Sequence, residues 1–440
     1  MKNNTVGPVK HRFVVLDALR GFALFGIILA NFPEFSLWTF QTDEALQRLP
    51  SPEVDSLVRF FLYVFVDGKF YTIFSILFGI GFSIIIANAV KKGADGFRIF
   101  YRRMTILALI GLAHLLLVWS GDILMLYALM GMLLPLFWRC TDGLLLRWAA
   151  FFLLLPIGIE VARAAVGWSL AEVPYGLWWS TCDRFGITEQ NFGTWLRDID
   201  GYRGLHQFLM QGAWERLWEF VDGNRYFKVL GLFLIGLYIG RRRLYAAVTP
   251  TDAVASQTAA QLSGNSGYSE SSEHSGTSCN TIRMLRRVMG WGTAVGLPLS
   301  FVYAWSATNG HPWGNITHSL LYTASVYPLG LAYIAAFALL FRRTAKAPFW
   351  RMMAFPGRMA LTNYLSQSVC GVLLFYGIGL AMGADTTLIA TEMLAVCVFL
   401  GQIFVSALWL NFFQFGPLEW LWRMLTYGRR MSIRKEPSGK

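Results

Sequence analysis

Apolar runs of about twenty residues recur from one end of this sequence to the other, and no other feature limits its possible folds so strongly. A helix of roughly 20 apolar residues spans the hydrocarbon of a bilayer. Only helices and closed barrels satisfy their backbone polar groups there. With 440 residues, 55% of them hydrophobic and 15% charged, the chain carries more apolar surface than a soluble domain of this size can hide. The sequence therefore predicts an all-α, polytopic membrane helix bundle. Spans are expected near 14–33, 54–90, 104–119, 123–139, 143–165, 226–243, 287–307, 316–341, 358–380 and 388–411. The first run is long, lacks a small-residue cleavage site and holds two charges, so it reads as a retained helix rather than a signal peptide.

The stretch 54–90 has room for two crossings separated by "DGKFY", but two would put "KKGADGFRIFYRR" opposite the basic N-terminus. One crossing, broken near its middle, instead gathers "KHR", "KK", "YRR", "RRR" and "RR" on one face, as the positive-inside rule requires. That reading gives about ten crossings with both termini in the cytoplasm. The net charge of +12 lies in these clusters beside apolar runs, not on a soluble basic face, so nucleic acid is not an expected partner. Cys140, Cys182, Cys279, Cys370 and Cys397 are scattered without metal spacing, and neither a disulfide framework nor a metal site is expected.

Three regions follow. Residues 1–248 form the first six-helix part, including a Trp-rich extracytoplasmic segment at 166–225. Residues 249–281, rich in Ser, Thr and Gly, read as a flexible cytoplasmic linker in which His274 has no expected role. Residues 282–440 supply the last four helices and a basic tail. Trp168, Trp178, Trp179, Trp195, Trp214 and Trp218 read as interfacial anchors against the outer leaflet.

Charge at membrane depth usually faces a protein-lined or water-lined interior, which makes each such residue a candidate for function. Asp17 and Arg20 are three apart on one helix face, and Asn31 returns to that face eleven residues after Arg20, roughly 16 Å deeper. The same pair can equally lock two helices together. Arg103 and His114 repeat the eleven-residue spacing, with Asp122 closing the segment. A lone membrane histidine is more often a packing residue, yet histidine is the side chain best suited to take and return a proton near neutral pH. Asn363 and Gln367 are four apart, with Arg358 at the cytoplasmic entrance, and interhelical hydrogen bonding is their plain reading. Lys69, where a helix breaks, needs water or an anionic partner. The glycines of "FGIGF", and Gly111, suit close helix packing; with no Walker loop, a lone GxG does not indicate a nucleotide. Glu419 and Arg423 sit on a short amphipathic stretch expected along the cytoplasmic surface.

Five ordered motifs, "LDALRGFALFGIILAN", "GKFYTIFSILFGIGF", "GLAHLLLVWSGDILMLYALMGMLLP", "GRMALTNYLSQSV" and "GPLEWLWRMLTYG", closely resemble the YeiB-type family of bacterial inner-membrane proteins. That family looks like a branch of the transmembrane acyltransferases, which include sugar O-acetylases and heparan-alpha-glucosaminide N-acetyltransferase. The resemblance implies a multi-pass protein of the bacterial inner membrane that moves an acyl group, expected to be acetyl, from cytosolic acyl-CoA or acetyl-CoA to a hydroxyl or amine. The O-acetylases carry a histidine where this chain has Asn31. The heparan enzyme has asparagine there and a catalytic histidine further on, but the corresponding "FPEFSLWTFQTD" has none.

The base must then come from elsewhere, and His114 is the expected one, oriented by Asp122 or Asp17, with Asn31 or Lys69 donating to an oxyanion. Arg102, Arg103, Arg358 and Arg241 to Arg243 are expected to take the phosphates. Asp17, Arg20, Asn363 and Gln367 complete the expected substrate path, which opens to the cytosol through an arginine-rich mouth. Expected partners are the lipid bilayer, acyl-CoA and an unidentified sugar, lipid or small-molecule acceptor, with a homodimer allowed. Transport of a small anionic or lipid-like solute, or a non-catalytic scaffold, are the alternatives.

Overall fold

The computed structural model describes residues 13–249 and 271–435, with the side chains of all but 271–278. The expected linker therefore lies largely outside the described residues, as does the side chain of His274. The fold is all-α: apart from one bridge between Phe413 and Arg434, the described residues contain no β-structure. The first half runs α1 (Val14–Phe35), α2 (Asp43–Gln47), α3 (Pro52–Phe65), α4 (Lys69–Val90), α5 (Gly96–Leu117), α6 (Leu124–Gly131) and α7 (Asp142–Val166). The Trp-rich segment folds as α8 (Glu172–Phe185), α9 (Glu189–Phe192), α10 (Trp195–Asp198) and α11 (Tyr202–Asp222), and α12 (Arg225–Arg241) follows. The rest comprises α13 (Ser271–Thr308), α14 (Gly314–Thr344), α15 (Pro348–Arg358), α16 (Ala360–Phe375), α17 (Leu388–Phe412) and α18 (Pro417–Tyr427).

Among the described residues, six helical stretches are long and apolar enough to cross a membrane: α1, the 39-residue run Pro52–Val90, α5, α7, α14 and α17. Leu124–Phe137 and Ala360–Phe375 are shorter apolar pieces. Several of these helices leave apolar side chains uncovered. On α17, Leu400, Phe404, Val405 and Leu408 are all exposed, a face that suits acyl chains and not water.

α1 is the central helix, packed by α4, α15, α16 and α17. Its Leu24, Ile28 and Phe32 are fully buried. Lipid is as apolar as leucine, so close van der Waals contact, not water exclusion, holds such helices together. α4 accordingly meets α12 through glycine: a Cβ on Gly79 would lie 2.1 Å from the Phe233 carbonyl oxygen. Gly81 faces open space, so only the first of the "FGIGF" glycines serves the packing expected of both.

The run Pro52–Val90 breaks where the sequence suggested. α3 ends at Phe65, Gly68 turns the chain with a φ of +77°, and α4 begins at Lys69. Lys69 is fully buried and its Nζ donates to the Tyr63 carbonyl at 2.6 Å. The partner the structure gives it is one of the orphan carbonyls at the end of α3, where the helix dipole is negative.

At the basic end of the bundle, α18 folds inward. Glu419 accepts hydrogen bonds from the backbone amides of Leu361 at 2.6 Å and Thr362 at 3.1 Å, capping α16 from outside its own chain segment. Burial raises the Glu419 carboxyl above its usual range, against these same bonds. The amphipathic stretch is therefore tied to the bundle by its acid, not only by a lipid-facing side.

Candidate functional site

His114 is set one turn before the end of α5, and the chain then doubles back through residues 118–123. Asp122 Oδ2 lies 2.9 Å from His114 Nδ1, while its Oδ1 accepts the Met125 amide at 2.8 Å at the start of α6. Both side chains are buried, at 2% and 1% exposure. The approach depends on Gly111, where a Cβ would come within 2.4 Å of the Met125 nitrogen and 3.0 Å of Asp122 Oδ1. A carboxylate oxygen only accepts, so Nδ1 donates to it, and in the neutral imidazole Nε2 then presents the lone pair. Nε2 is buried without a hydrogen-bond partner. The plain reading of a membrane histidine would have it satisfied at both nitrogens, and only one is.

The His114 ring packs on Tyr364 and Trp119, with centroids 5.6 Å and 6.2 Å away. Both of those residues line a cavity of about 540 Å³. Asn31 and Glu34 line it from the end of α1, Glu215, Arg216 and Glu219 from α11, and Arg225 and Lys228 from the start of α12. Asn31 makes no side-chain hydrogen bond among the described residues, and its amide is available to a ligand.

The other expected residues lie elsewhere. Asp17 and Arg20 pair at 2.9 Å on α1, where the neighbouring α15 comes so close that a Cβ on Gly357 would lie 1.8 Å from the Asp17 carbonyl oxygen. Arg103 stacks 3.6 Å from the Trp422 ring centroid and is within electrostatic reach of Arg20 and Arg423; Arg102 is exposed beside Gly428. Arg358 closes α15. None of these five lines the cavity, which is at the end of the bundle opposite the basic clusters. Arg241 and Arg242 hold Asp142, at 3.9 Å and 2.5 Å. Asn363 donates to the Pro356 carbonyl at 3.2 Å and to Ser406 at 3.0 Å, and Gln367 donates to Gln402 at 3.0 Å. These bonds join α16 to α15 and α17, the interhelical role that is the plain reading of such amides.

The charged wall formed by α11 has no counterpart among the expected residues. Arg216 donates to the Ser120 carbonyl at 2.9 Å, faces Glu34 at 3.4 Å and is bonded to Glu219. Burial opposes the charge on Arg216, but Glu219, Glu34 and Glu215 outweigh it and hold the guanidinium above its usual range. Burial likewise pushes Glu219 up, and Arg216 with Arg225 overcomes it, leaving that carboxyl low. For Glu215 burial wins, helped by the charge of Glu219, and its pKa rises to about 8. At pH 7 Glu219 is therefore a carboxylate and Glu215 mostly a neutral acid. A sequence signal existed: Glu34 follows Asn31 by three residues on one face, and Glu215 and Glu219 are four apart.

The raised Glu215 pKa has a stability consequence of defined sign. The unfolded chain releases this proton near pH 4.5 and the folded chain near 8, so the folded state binds more protons in between and stability falls as pH rises across that window. Thermal unfolding in detergent from pH 5 to pH 9 is expected to show this decline for the wild type, with Glu215→Gln progressively more stable than wild type above pH 6. Parallel curves for the two proteins would contradict the assignment.

Comparison with known proteins finds similar chains. A family profile described as "Protein of unknown function (DUF418)" matches residues 276–429, from within α13 to just past α18. Proteins similar over nearly their whole length include the "Uncharacterized 39.9 kDa protein in amylase 3'region" of Bacillus acidopullulyticus, 29% identical over 96% of this chain and 96% of its own. YxaH of Bacillus subtilis (strain 168) is 27% identical over 97% of this chain and 96% of its own. YeiB of Escherichia coli (strain K12) is 27% identical over 94% of this chain and 96% of its own. The chain is thus similar over nearly its whole length to YeiB and YxaH. No solved structure matches it. The profile covers Tyr364 and Glu419, while His114, Asp122 and the α11 wall lie in the part reached only by the full-length relatives.

Proposed function

We propose that this YeiB-type chain is an integral acyltransferase of the bacterial inner membrane, with His114 as general base. The observation that carries the reading is the buried His114–Asp122 pair, 2.9 Å apart, with Nε2 unpartnered and the ring packed on Tyr364 and Trp119, which line a cavity of about 540 Å³. A base within reach of its orienting carboxylate, next to space for a substrate, is the minimum that proton abstraction requires.

In this reading the acceptor hydroxyl or amine occupies the cavity, and a shift of the Tyr364 side chain brings it to Nε2. His114 takes the proton as the acceptor oxygen or nitrogen bonds to the thioester carbonyl carbon. The carbon–sulfur bond then breaks, and the same proton leaves with the CoA thiol. Asn31 and the Tyr364 hydroxyl, which is buried without a partner, are the donors for the intermediate oxyanion. One such donor is worth about 3 to 4 kcal/mol.

Acyl-CoA is a co-substrate whose phosphates suit Arg102, Arg103 and Arg423 at the basic end. Eleven residues of α5, roughly 16 Å, separate Arg103 from His114. Met104 and Leu107 are closely packed along the way, at 1% and 3% exposure, so the acyl arm enters only if these side chains part.

Purified protein incubated with labelled acetyl-CoA and a membrane or periplasmic extract is expected to yield labelled product, lost in His114→Ala. Undiminished product from His114→Ala would overturn the role of the base. A second reading, proton-coupled movement of a solute, is favoured by Glu392. It is buried in α17 with both carboxyl oxygens unpartnered and within electrostatic reach of Asp67 and Arg59, which line the cavity. Transport predicts solute flux in sealed vesicles that Glu392→Gln abolishes, together with no binding of CoA; acyl transfer predicts that Glu392→Gln still forms product.

A further inference from the structure

Among the described residues, the cationic side chains of Lys and Arg in the cavity wall face carboxylates with one exception. Arg59 faces Asp67 at 3.7 Å, Arg216 holds Glu34 and Glu219, and Arg225 shares Glu219 at 3.8 Å. Lys228 has no carboxylate within salt-bridge distance among the described residues. Glu160 and Asp222 act on it only from farther away, and both are already bonded to Arg163, at 3.3 Å and 2.9 Å. Its nearest compensation is the Tyr322 ring, whose centroid lies 4.2 Å from Nζ. A cation–π contact offsets less than the cost of withdrawing an ammonium from water.

Around Lys228 the cavity lining holds further donors that the protein leaves unused. The Tyr322 hydroxyl makes no hydrogen bond among the described residues. His318 makes none either, and its Nδ1 is buried without a partner. Arg225 adds a guanidinium that shares its carboxylate with Arg216. Lys228 is the fourth residue of α12 and His318 the fifth of α14, so the cluster sits where two helices begin. Buried polar groups are normally satisfied, and a set of unmatched donors around one surplus positive charge calls for an anionic acceptor of several hydrogen bonds.

We propose that Lys228, Arg225, Tyr322 and His318 form a subsite for a phosphate group. Phosphate fits because its oxygens can accept from several of these donors at once and its charge answers the unpaired ammonium. As an anion site the cluster stands on the cavity alone. As the place where the acceptor is held, it rests on the acyl-transfer reading and makes that acceptor a phosphate-bearing molecule, either a phospholipid or a small phosphate ester.

The test is thermal unfolding and native mass spectrometry of the full chain in detergent. The free probes are inorganic phosphate and glycerol 3-phosphate. The lipid probes are mixed micelles with phosphatidylglycerol or with phosphate-free diacylglycerol. The wild type is expected to be stabilised by one class of phosphate probe and not by diacylglycerol, and which class does so identifies the source. Lys228→Met should weaken that binding at least tenfold and, without the probe, melt no lower than wild type, because it removes an uncompensated charge. Lys228→Arg should retain binding. His114→Ala should bind as the wild type does, which separates this subsite from the chemistry. The proposal is overturned if no phosphate probe binds, if Lys228→Met binds undiminished, or if that variant alone is destabilised, as a structural lysine would be.

Discussion

His114→Ala is expected to lower acyl transfer by a factor on the order of 10² to 10⁴, the usual contribution of a positioned general base. Asp122→Asn should fall in the same range by a different route. An asparagine at 122 can present its amide to Nδ1, which then turns acceptor and leaves the proton on Nε2, where an acceptor substrate needs a lone pair. The two losses should not add, because both variants disable one unit. A packing role makes the opposite forecast. Both side chains are buried, so a purely structural pair would announce itself as lost stability with activity per folded molecule intact. Elution volume and melting temperature, read beside initial rates and their pH profiles, separate these outcomes. Equal specific activity in wild type and His114→Ala would end the proposal.

What could be read in the sequence follows from what helical periodicity encodes. Apolar runs gave the helices, and the break between α3 and α4 was legible because Asp67, Gly68 and Lys69 interrupt a run too long for one crossing and awkward for two. Spacing also picked out Asn31 and His114, and the structure sets Asn31 in the cavity wall and His114 just behind it. Periodicity names the face of a helix but not what stands opposite. Arg103 and His114 share a face of α5, yet Arg103 meets Trp422 at one end of the bundle and His114 meets Asp122 toward the other.

The Trp-rich segment shows the same limit from the other side. Tryptophan suits a membrane interface and a packed core equally well, because its ring is apolar and its N–H needs one acceptor. Trp178 stacks on Trp179 and Trp218 at 5.1 Å and 5.2 Å and gives its N–H to Gln211, so this part of the segment is an internal layer. Trp168 and Trp214 are exposed and remain suited to anchoring. Only the partner across the gap distinguishes these cases, and with that layer in place α11 can bring Arg216 over the cavity.

Arg216 is the residue whose loss should cost the structure most. Its side chain is 9% exposed and ties three elements together: Glu34 at the end of α1, the Ser120 carbonyl in the turn after α5, and Glu219 one turn along α11. Arg216→Met keeps much of the apolar stem but removes the cation that Glu34 and Glu219 both face. Removing one partner of a buried ion network typically costs about 3 to 5 kcal/mol, mainly through the charges left behind. Arg216→Met is therefore expected to destabilise by that amount, seen as a large fall in melting temperature in detergent at pH 7. The diagnostic variant combines it with Glu34→Gln and Glu219→Gln, which deletes the stranded charges and should recover most of the loss, since uncharged groups of similar shape often replace a buried ion network at little cost. If the triple variant is as unstable as Arg216→Met, the guanidinium acts mainly through the Ser120 carbonyl, a single charge-assisted hydrogen bond worth about 1.5 to 3 kcal/mol.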